Sequence, residues 1–347
     1  MIYYSYTKVL YLQNILGLVS NEYDLVAKEI ELPLHEAKAF IEKWAERYNL
    51  SDTPQQTYKR RLKGEAVFSL SVHVGAVRIG TEANLYSWIS DTVKPVDDLD
   101  VTTFKPDDPY LVKVRLRLFC RTSDVFLYDE DKGVLKKNNA EDLQLINQKI
   151  FYQTPSAEKF IPVKDAKISI YQYELVQITK PKKSAKDLKE QNWKHQPHAT
   201  DWTWRLNKEA YKKQLEQGHR VVLRYQNYVN KPLDVKTAYF EKHLKALEGY
   251  IGFRGVRQQI GEIFHAERRI FQKKYNESWY ANGARTLVLP YVKKHKKHPS
   301  STEDIATALQ ICANALSKQL YKTYKAWLSQ KIAEESSSVE QKSEDLS

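Results

Sequence analysis

The spacing of hydrophobic residues changes twice along the chain. Up to residue 50, apolar side chains recur every three or four positions, which predicts helices. Between residues 66 and 179 they alternate with polar ones, most cleanly in LVKVRLRLFC at 111–120, which predicts strands of an antiparallel sheet. Beyond residue 203 the helical spacing returns. This order predicts an α+β fold.

Residues 23–44 carry the pattern of two short helices joined by a turn. The run LVAKEI at 25–30 has the spacing of one helical face, and a second apolar face starts near Leu34. Pro33 disfavours helical backbone in the residue before it. The pattern predicts a helix-turn-helix-like hairpin, although Glu31 stands where the turn usually has glycine. Two interpretations remain open, a DNA-reading helix and a hairpin that only packs or mediates dimerisation.

Composition suggests where the domains begin and end. A chain of 347 residues is long for one domain. The segment 180–202 is rich in lysine and poor in aliphatic residues, which is typical of a linker or a mobile basic loop. We predict a domain at 1–179 with the hairpin and the sheet, a linker at 180–202, a mainly helical basic domain at 203–333 and an acidic disordered tail at 334–347.

The later segments predict more helix than strand. A helix is expected over Asn207–Gln217 with a stop at Gly218, followed by one strand in HRVVLRYQNYVN at 219–230. A long helical stretch is then expected to bend near Gly249–Gly255. The last helix is expected to follow Ser300, which starts a capping-box pattern with Glu303.

Positive charge is concentrated in the C-terminal half. The chain carries a net charge of +12, to which residues 1–179 contribute −2 and residues 180–333 contribute +18. The segment Gly249–His298 alone has eleven Lys and Arg against three Glu. Such an imbalance indicates a surface for a polyanion.

The helix predicted at 253–279 divides into an apolar side and a basic side. Arginine suits bidentate contact with phosphate, and the lysine run after Tyr291 would strengthen binding without reading bases. The glycines 252, 255 and 261 allow close approach of either another helix or a phosphate. The alternatives are a solvated face and, for the lysine run, a localisation tract. The expected nucleic-acid contacts are Arg254, Arg257, Arg268, Arg269, Lys273, Lys274, Lys293, Lys294, Lys296 and Lys297, together with Lys59, Arg60 and Arg61.

Aromatic residues near these cations have two interpretations. They could stack on unpaired bases, or they could belong to the core. The residues concerned are Trp193, Trp202, Trp204, Tyr225, Tyr228, Trp279 and Tyr280.

Catalytic motifs are weak or missing. Asp107 followed by Glu130 and Lys132 has the letters of a Mg²⁺-dependent nuclease, but the last two fall in a predicted hairpin turn. Tyr321 and Tyr324 resemble a DNA-attacking tyrosine pair without a histidine cluster to hold a metal. We therefore predict no catalytic residues, no metal site and no cofactor.

The sequence favours a non-enzymatic protein that binds double-stranded DNA. A regulator, or an accessory factor in replication or mobilisation of a bacterial mobile element such as a plasmid, fits this composition. The alternatives are an RNA- or single-strand-binding subunit of a ribonucleoprotein and a Mg²⁺-dependent nuclease. A homodimer or a larger nucleoprotein assembly is compatible with either binding function.

Compartment is predicted from what the sequence lacks. The first residues make a poor signal peptide and no run is long enough to span a membrane, so we expect a cytoplasmic protein without a membrane partner. Cys120 and Cys312 are expected to be reduced thiols in the core.

Overall fold

The structure is a computed structural model. It describes residues 1–78, 110–121, 126–129, 134–137, 150, 158–179, 200–293, 303–316, 318, 319, 322 and 329. Helices and an antiparallel sheet occur together, which confirms the predicted α+β class. The strands are β1 (Ile2–Ser5), β2 (Leu25–Ala27), β3 (Ile30–Pro33), β4 (Val67–Arg78), β5 (Tyr110–Arg121), β6 (Phe126–Asp129), β7 (Val134–Lys137), β8 (Phe160–Pro162), β9 (Ser169–Ile170), β10 (Tyr173–Thr179) and β11 (Thr200–Leu206).

The helices carry the apolar spacing that predicted most of them. They are α1 (Lys8–Ser20), α2 (Leu34–Arg47), α3 (Pro54–Leu62), α4 (Lys208–Arg224), α5 (Leu233–Glu248), α6 (Arg254–Tyr275) and α7 (residues 305–316). The long helical stretch that was expected to bend near Gly249–Gly255 is two helices, because the chain leaves the helical conformation between α5 and α6. α7 begins after Asp304, whose carboxylate accepts a hydrogen bond from the Thr307 amide at 3.1 Å, and Ser300 lies outside the described residues.

The chain divides into two compact units at places that differ from the predicted boundaries. The first unit falls within 1–18, 22–162 and 296–347, and the second within 19–21 and 163–295. β10 pairs with β11, so a strand before the predicted linker and one that starts inside it belong to the same sheet. α7 packs in the core of the first unit because its apolar stripe is buried there. Residues 180–199 and the predicted tail lie outside the described residues.

A six-stranded sheet forms the centre of the first unit. Its order is β1-β4-β5-β2-β8, and β3 also pairs with β5. β4 and β5 are antiparallel along their whole length, whereas β1 is parallel to β4. The predicted hairpin is confirmed as the pair β6–β7, although its turn at 130–133 lies outside the described residues.

The predicted helix-turn-helix at 23–44 is wrong in its first half. Residues 25–27 and 30–33 are β2 and β3, with Leu25 opposite Cys120 and Ile30 opposite Leu116 of β5. A short apolar run is compatible with the spacing of a helix or of a strand. Here the backbone hydrogen bonds offered by the edge of β5 favour strands. The second helix is present as α2, and it buries Ala37, Ile41 and Trp44 against the sheet. No DNA-reading helix pair forms at these residues.

One face of this sheet is apolar. It packs against α2 and α7 in a core to which both cysteines contribute. Cys120 and Cys312 are buried free thiols, as predicted. Burial raises the pKa of the Cys312 thiol to about 12.

The opposite face of the sheet is polar and lies under α1. The ring of Tyr11 stacks on His73 with centroids 4.4 Å apart, and Nδ1 of His73 is 3.2 Å from Oγ of Ser5. Arg117 donates to Glu29 at 2.7 Å. Lys113 and Arg115 of the same strand are 2.6 and 3.0 Å from Glu31, so the basic residues that alternate along β5 are engaged in ion pairs within the unit.

His73 is expected to make folding sensitive to acid. Burial, and secondarily the charge of Arg115, lower the pKa of His73 from 6.5 to about 4. The unfolded chain therefore takes up this proton first, so the contribution is intact above about pH 6.5 and is lost as the pH falls towards 4. Urea unfolding midpoints measured across this range should fall less steeply for His73→Gln than for wild type. His35→Gln, which changes an exposed histidine of α2, is the control, and an unchanged slope in the His73 variant would contradict this prediction.

The second unit combines a small sheet with α4, α5 and α6. The strand predicted at 219–230 is wrong, because α4 continues through Gly218 to Arg224 and a 3₁₀ turn follows at Tyr225–Tyr228. Gly218 does not end the helix. It is buried where a Cβ atom would overlap the Glu267 carboxylate of α6, so its small size serves helix packing.

Candidate nucleic-acid interface

α6 is an amphipathic helix of 22 residues held by its apolar side. Val256, Ile260 and Ile263 are fully buried in the second unit, and Phe271 packs edge-on against Tyr225 with ring centroids 4.8 Å apart. The helix ends at Asn276, which adopts a left-handed conformation (φ 54°). One side of α6 is thus fixed in the unit, and the other is available for contacts.

The outward side of α6 carries what we name the arginine stripe. Its members follow one another at spacings of one, three or four residues, so they lie along one edge of the helix for about 27 Å. None of them is Asp or Glu, and apart from Gly261 all are polar or basic. The stripe comprises Arg254, Arg257, Gln258, Gly261, His265, Arg268, Arg269 and Gln272.

Two arginines of the stripe lie over tyrosine rings from the segment that follows α6. The guanidinium carbon of Arg257 is 3.9 Å from the ring centroid of Tyr291, and that of Arg268 is 4.7 Å from the centroid of Tyr280. Both tyrosines are exposed. A stacked guanidinium keeps its planar fork of N–H donors for a bidentate acceptor while its side chain loses rotamer freedom. We call these two contacts the Arg–Tyr pairs.

Carboxylates engage other arginines of this unit but not those of the Arg–Tyr pairs. Arg285 contacts Glu241 and Glu248 at 2.8 and 2.5 Å, and these hydrogen bonds raise its pKa. Within the described part of the chain, no ion pair involves Arg257, Arg268 or Arg269. The positive charge at these three positions is therefore not neutralised by described carboxylates.

Part of the Arg268 guanidinium is shielded from solvent. Its Nε atom is buried, and no described residue accepts a hydrogen bond from it. Arg268, Arg269, His265 and Gln272 line an open depression of about 460 Å³. A partly desolvated cation attracts an anion more strongly than a hydrated one, so this part of the stripe favours phosphate.

The remaining predicted contacts of this unit are less distinctive. Lys273 and Lys274 are exposed in the last turn of α6, where cations also interact favourably with the helix dipole. Arg254 is 3.8 Å from Asp201, and Lys293 is exposed at the end of its described segment. The run Lys294, Lys296 and Lys297 lies outside the described residues.

The basic cluster on α3 belongs to the first unit. Arg60 is 2.6 Å from Asp52 and 2.7 Å from Glu65, and the hydrogen bond with Asp52 is the main reason that its pKa is raised. Arg60 therefore stabilises α3, and its guanidinium already has two carboxylate partners. Lys59 is exposed and Arg61 is half-buried.

Most of the aromatic residues considered for stacking belong to the core. Trp204, Tyr225 and Trp279 are almost fully buried. Tyr228 packs on Tyr239 with ring centroids 4.2 Å apart. Tyr280 is exposed, Trp202 is half-buried and Trp193 lies outside the described residues.

A buried hydrogen-bonded pair beneath the stripe holds α6 to its neighbours. Oε2 of Glu267 lies 2.9 Å from Nε2 of His243 on α5, with both side chains at most 4% exposed. Oε1 of Glu267 has no hydrogen-bond partner among the described residues, and it faces Gly218 of α4. Sequence reasoning missed this pair, since nothing in a 24-residue separation marks it. It also missed Tyr291 as a partner of Arg257.

Comparison with known proteins does not identify the chain. No family model, curated protein or solved structure matches it. None of the described helices is long and apolar enough to cross a membrane.

Metal-ligating and catalytic positions can be compared with the described residues only in part. In the described segments, no group of three or more His, Cys, Asp or Glu residues is arranged to hold a metal ion. Asp107, Glu130, Lys132, Tyr321 and Tyr324, the positions weighed as catalytic, lie outside the described residues.

Proposed function

We propose that the chain is a non-enzymatic nucleic-acid-binding protein that contacts the phosphates of double-stranded DNA through the arginine stripe. The observation that carries this proposal is the row of cations on the outward side of α6 that described carboxylates leave unpaired. Arg257, Arg268 and Arg269 are the main members of this row. Each phosphate that a cation neutralises releases counterions, so binding should be strong at low salt and weak at high salt.

Duplex DNA is favoured over a single strand by the state of the aromatic residues. Proteins that bind single strands offer open aromatic faces to successive bases. Here Trp204, Tyr225 and Trp279 are buried, and the two exposed rings beside the arginine stripe, Tyr280 and Tyr291, each have one face covered by an arginine. A helix with arginines along one edge instead suits a groove bounded by phosphates.

Sequence specificity needs a source other than a helix-turn-helix. Residues 25–27 and 30–33 form strands, so the first helix of that motif is missing. On the outward side of α2, Lys38 lies 3.8 Å from Glu42, so a carboxylate accompanies this cation. Shape and deformability of the DNA are a sufficient source of preference for a protein that contacts mainly phosphates. This property fits an accessory factor in replication or mobilisation, or a regulator, acting in the cytoplasm.

The test compares ligands in one titration series. Fluorescence anisotropy with labelled duplex DNA, single-stranded DNA and duplex RNA of equal length should show the tightest binding to duplex DNA. We expect the affinity to fall by about 1000-fold or more between 50 and 200 mM salt if six or more phosphates are contacted. Tighter binding to either other ligand would favour an RNA- or single-strand-binding function instead.

A parallel incubation addresses catalysis. Supercoiled plasmid mixed with the protein and Mg²⁺ should remain uncut, with an EDTA sample as the control. Nicking that requires Mg²⁺ would contradict the non-enzymatic proposal and would support a nuclease.

A further inference from the structure

The glycines in and beside α6 differ in what surrounds them. A Cβ atom at Gly255 would lie 2.7 Å from the Trp204 carbonyl oxygen, and one at Gly252 would overlap that of Pro290. Packing within the unit therefore requires glycine at both positions. At Gly261 a Cβ atom would meet nothing within 4 Å. Internal packing gives no reason for glycine there.

Gly261 has a cost and a distinctive position. A glycine inside a helix destabilises it by about 0.5–1 kcal/mol relative to alanine. It lies in the middle of the arginine stripe, one turn after Arg257 and one turn before His265. The stripe is therefore interrupted by a notch, in which the helix backbone is open, with the two Arg–Tyr pairs on either side.

The nearest carboxylate is restrained on the side of α4. Oε2 of Glu262 accepts a hydrogen bond from the Tyr211 hydroxyl at 3.3 Å, and Oε1 accepts one from the Gln258 amide at 3.1 Å. Tyr211 belongs to α4, so its hydrogen bond draws one oxygen of the Glu262 carboxylate towards that helix. An anion that enters the notch would lie between Arg257 and Arg268 of the stripe.

We infer that Gly261 is where the phosphate backbone of bound DNA lies closest to α6, an inference that rests on the proposed function. Glycine allows such an approach because no side chain separates the ligand from the helix backbone. Arg257 and Arg268 are about 16 Å apart along the helix axis and lie on opposite sides of Gly261. They can therefore contact phosphates on either side of the notch at the same time.

Filling the notch without changing charge tests this inference. Gly261→Ala and Gly261→Gln add small and large uncharged side chains that favour helix. Both variants should unfold at the same or a higher urea concentration than wild type, since nothing opposes the new atoms. We expect duplex DNA affinity to fall by about threefold for alanine and by tenfold or more for glutamine, where tenfold is about 1.4 kcal/mol.

Two further variants distinguish a failure of the inference about Gly261 from a failure of the proposed function. Gly17→Gln adds the same side chain at a helical glycine of α1 that also has nothing within 4 Å, and it should leave binding unchanged. Arg257→Ala reports on the stripe itself. If Gly261→Gln binds like wild type while Arg257→Ala binds more weakly, the inference about Gly261 is overturned and the proposed function stands. If both variants bind like wild type, the proposed function fails as well.

Discussion

Replacing Arg257, Arg268 and Arg269 together with alanine should weaken duplex DNA binding by about 100- to 1000-fold at low salt. Hydrogen bonds to charged groups contribute roughly 1.5–3 kcal/mol each, and partial compensation leaves about 3–4 kcal/mol for the three. The fold should be preserved because none of these guanidinium groups is in an ion pair with a described residue. Anisotropy titrations measure the affinity, and circular dichroism with urea unfolding checks the fold.

The matched control removes the same charge from the first unit. Lys28, Lys38 and Lys43 are exposed, and their replacement by alanine lowers the net charge by the same amount. We expect this variant to bind within a few-fold of wild type, since these lysines do not belong to the proposed interface. If both triple variants lost affinity equally, net charge alone would explain the binding and the stripe would have no special role.

The largest loss of stability is expected for Glu267→Ala. This change leaves His243 buried without its partner and opens a cavity between α4, α5 and α6. Leaving a buried polar group without its hydrogen-bond partner costs about 1–3 kcal/mol, and the cavity adds to this loss. The urea unfolding midpoint should fall accordingly, and DNA affinity should fall in proportion to the unfolded fraction.

A double-mutant cycle shows whether the pair itself is responsible. Replacing both Glu267 and His243 with leucine removes both buried polar groups and restores apolar volume. Such replacements are often tolerated, so the double variant should be more stable than Glu267→Leu alone. Additive losses from the two single changes would mean that the two side chains act independently.

The sequence predicted α6 well because local spacing determines it. Its apolar face, its outward arginines and the break before it all follow from residues within a few turns of one another. The first half of the predicted helix-turn-helix at 23–44 was wrong because distant residues determine its structure. Leu25 pairs with Cys120, almost a hundred residues later in the chain. The local spacing of apolar residues cannot show that β5 offers an edge to which residues 25–33 can add as strands.

The candidate site could be predicted only in part, because charge patterns do not show which cations are already paired. Arg60 was predicted to contact nucleic acid because it lies in a basic run, but its guanidinium forms ion pairs with Asp52 and Glu65. Arg268 looked no different in sequence, yet no described carboxylate pairs with it. Tyr291 could not be assigned to Arg257 either, since the chain must turn after α6 before the two side chains meet.

The most direct measurement of the central claim is the salt dependence of duplex DNA binding with and without the stripe. The slope of log affinity against log salt counts the phosphates neutralised, at about 0.9 per contact. If Arg257, Arg268 and Arg269 each contact one phosphate, the triple variant should have a slope smaller in magnitude by about 2.7 than that of wild type. An unchanged slope would show that DNA does not bind at the arginine stripe.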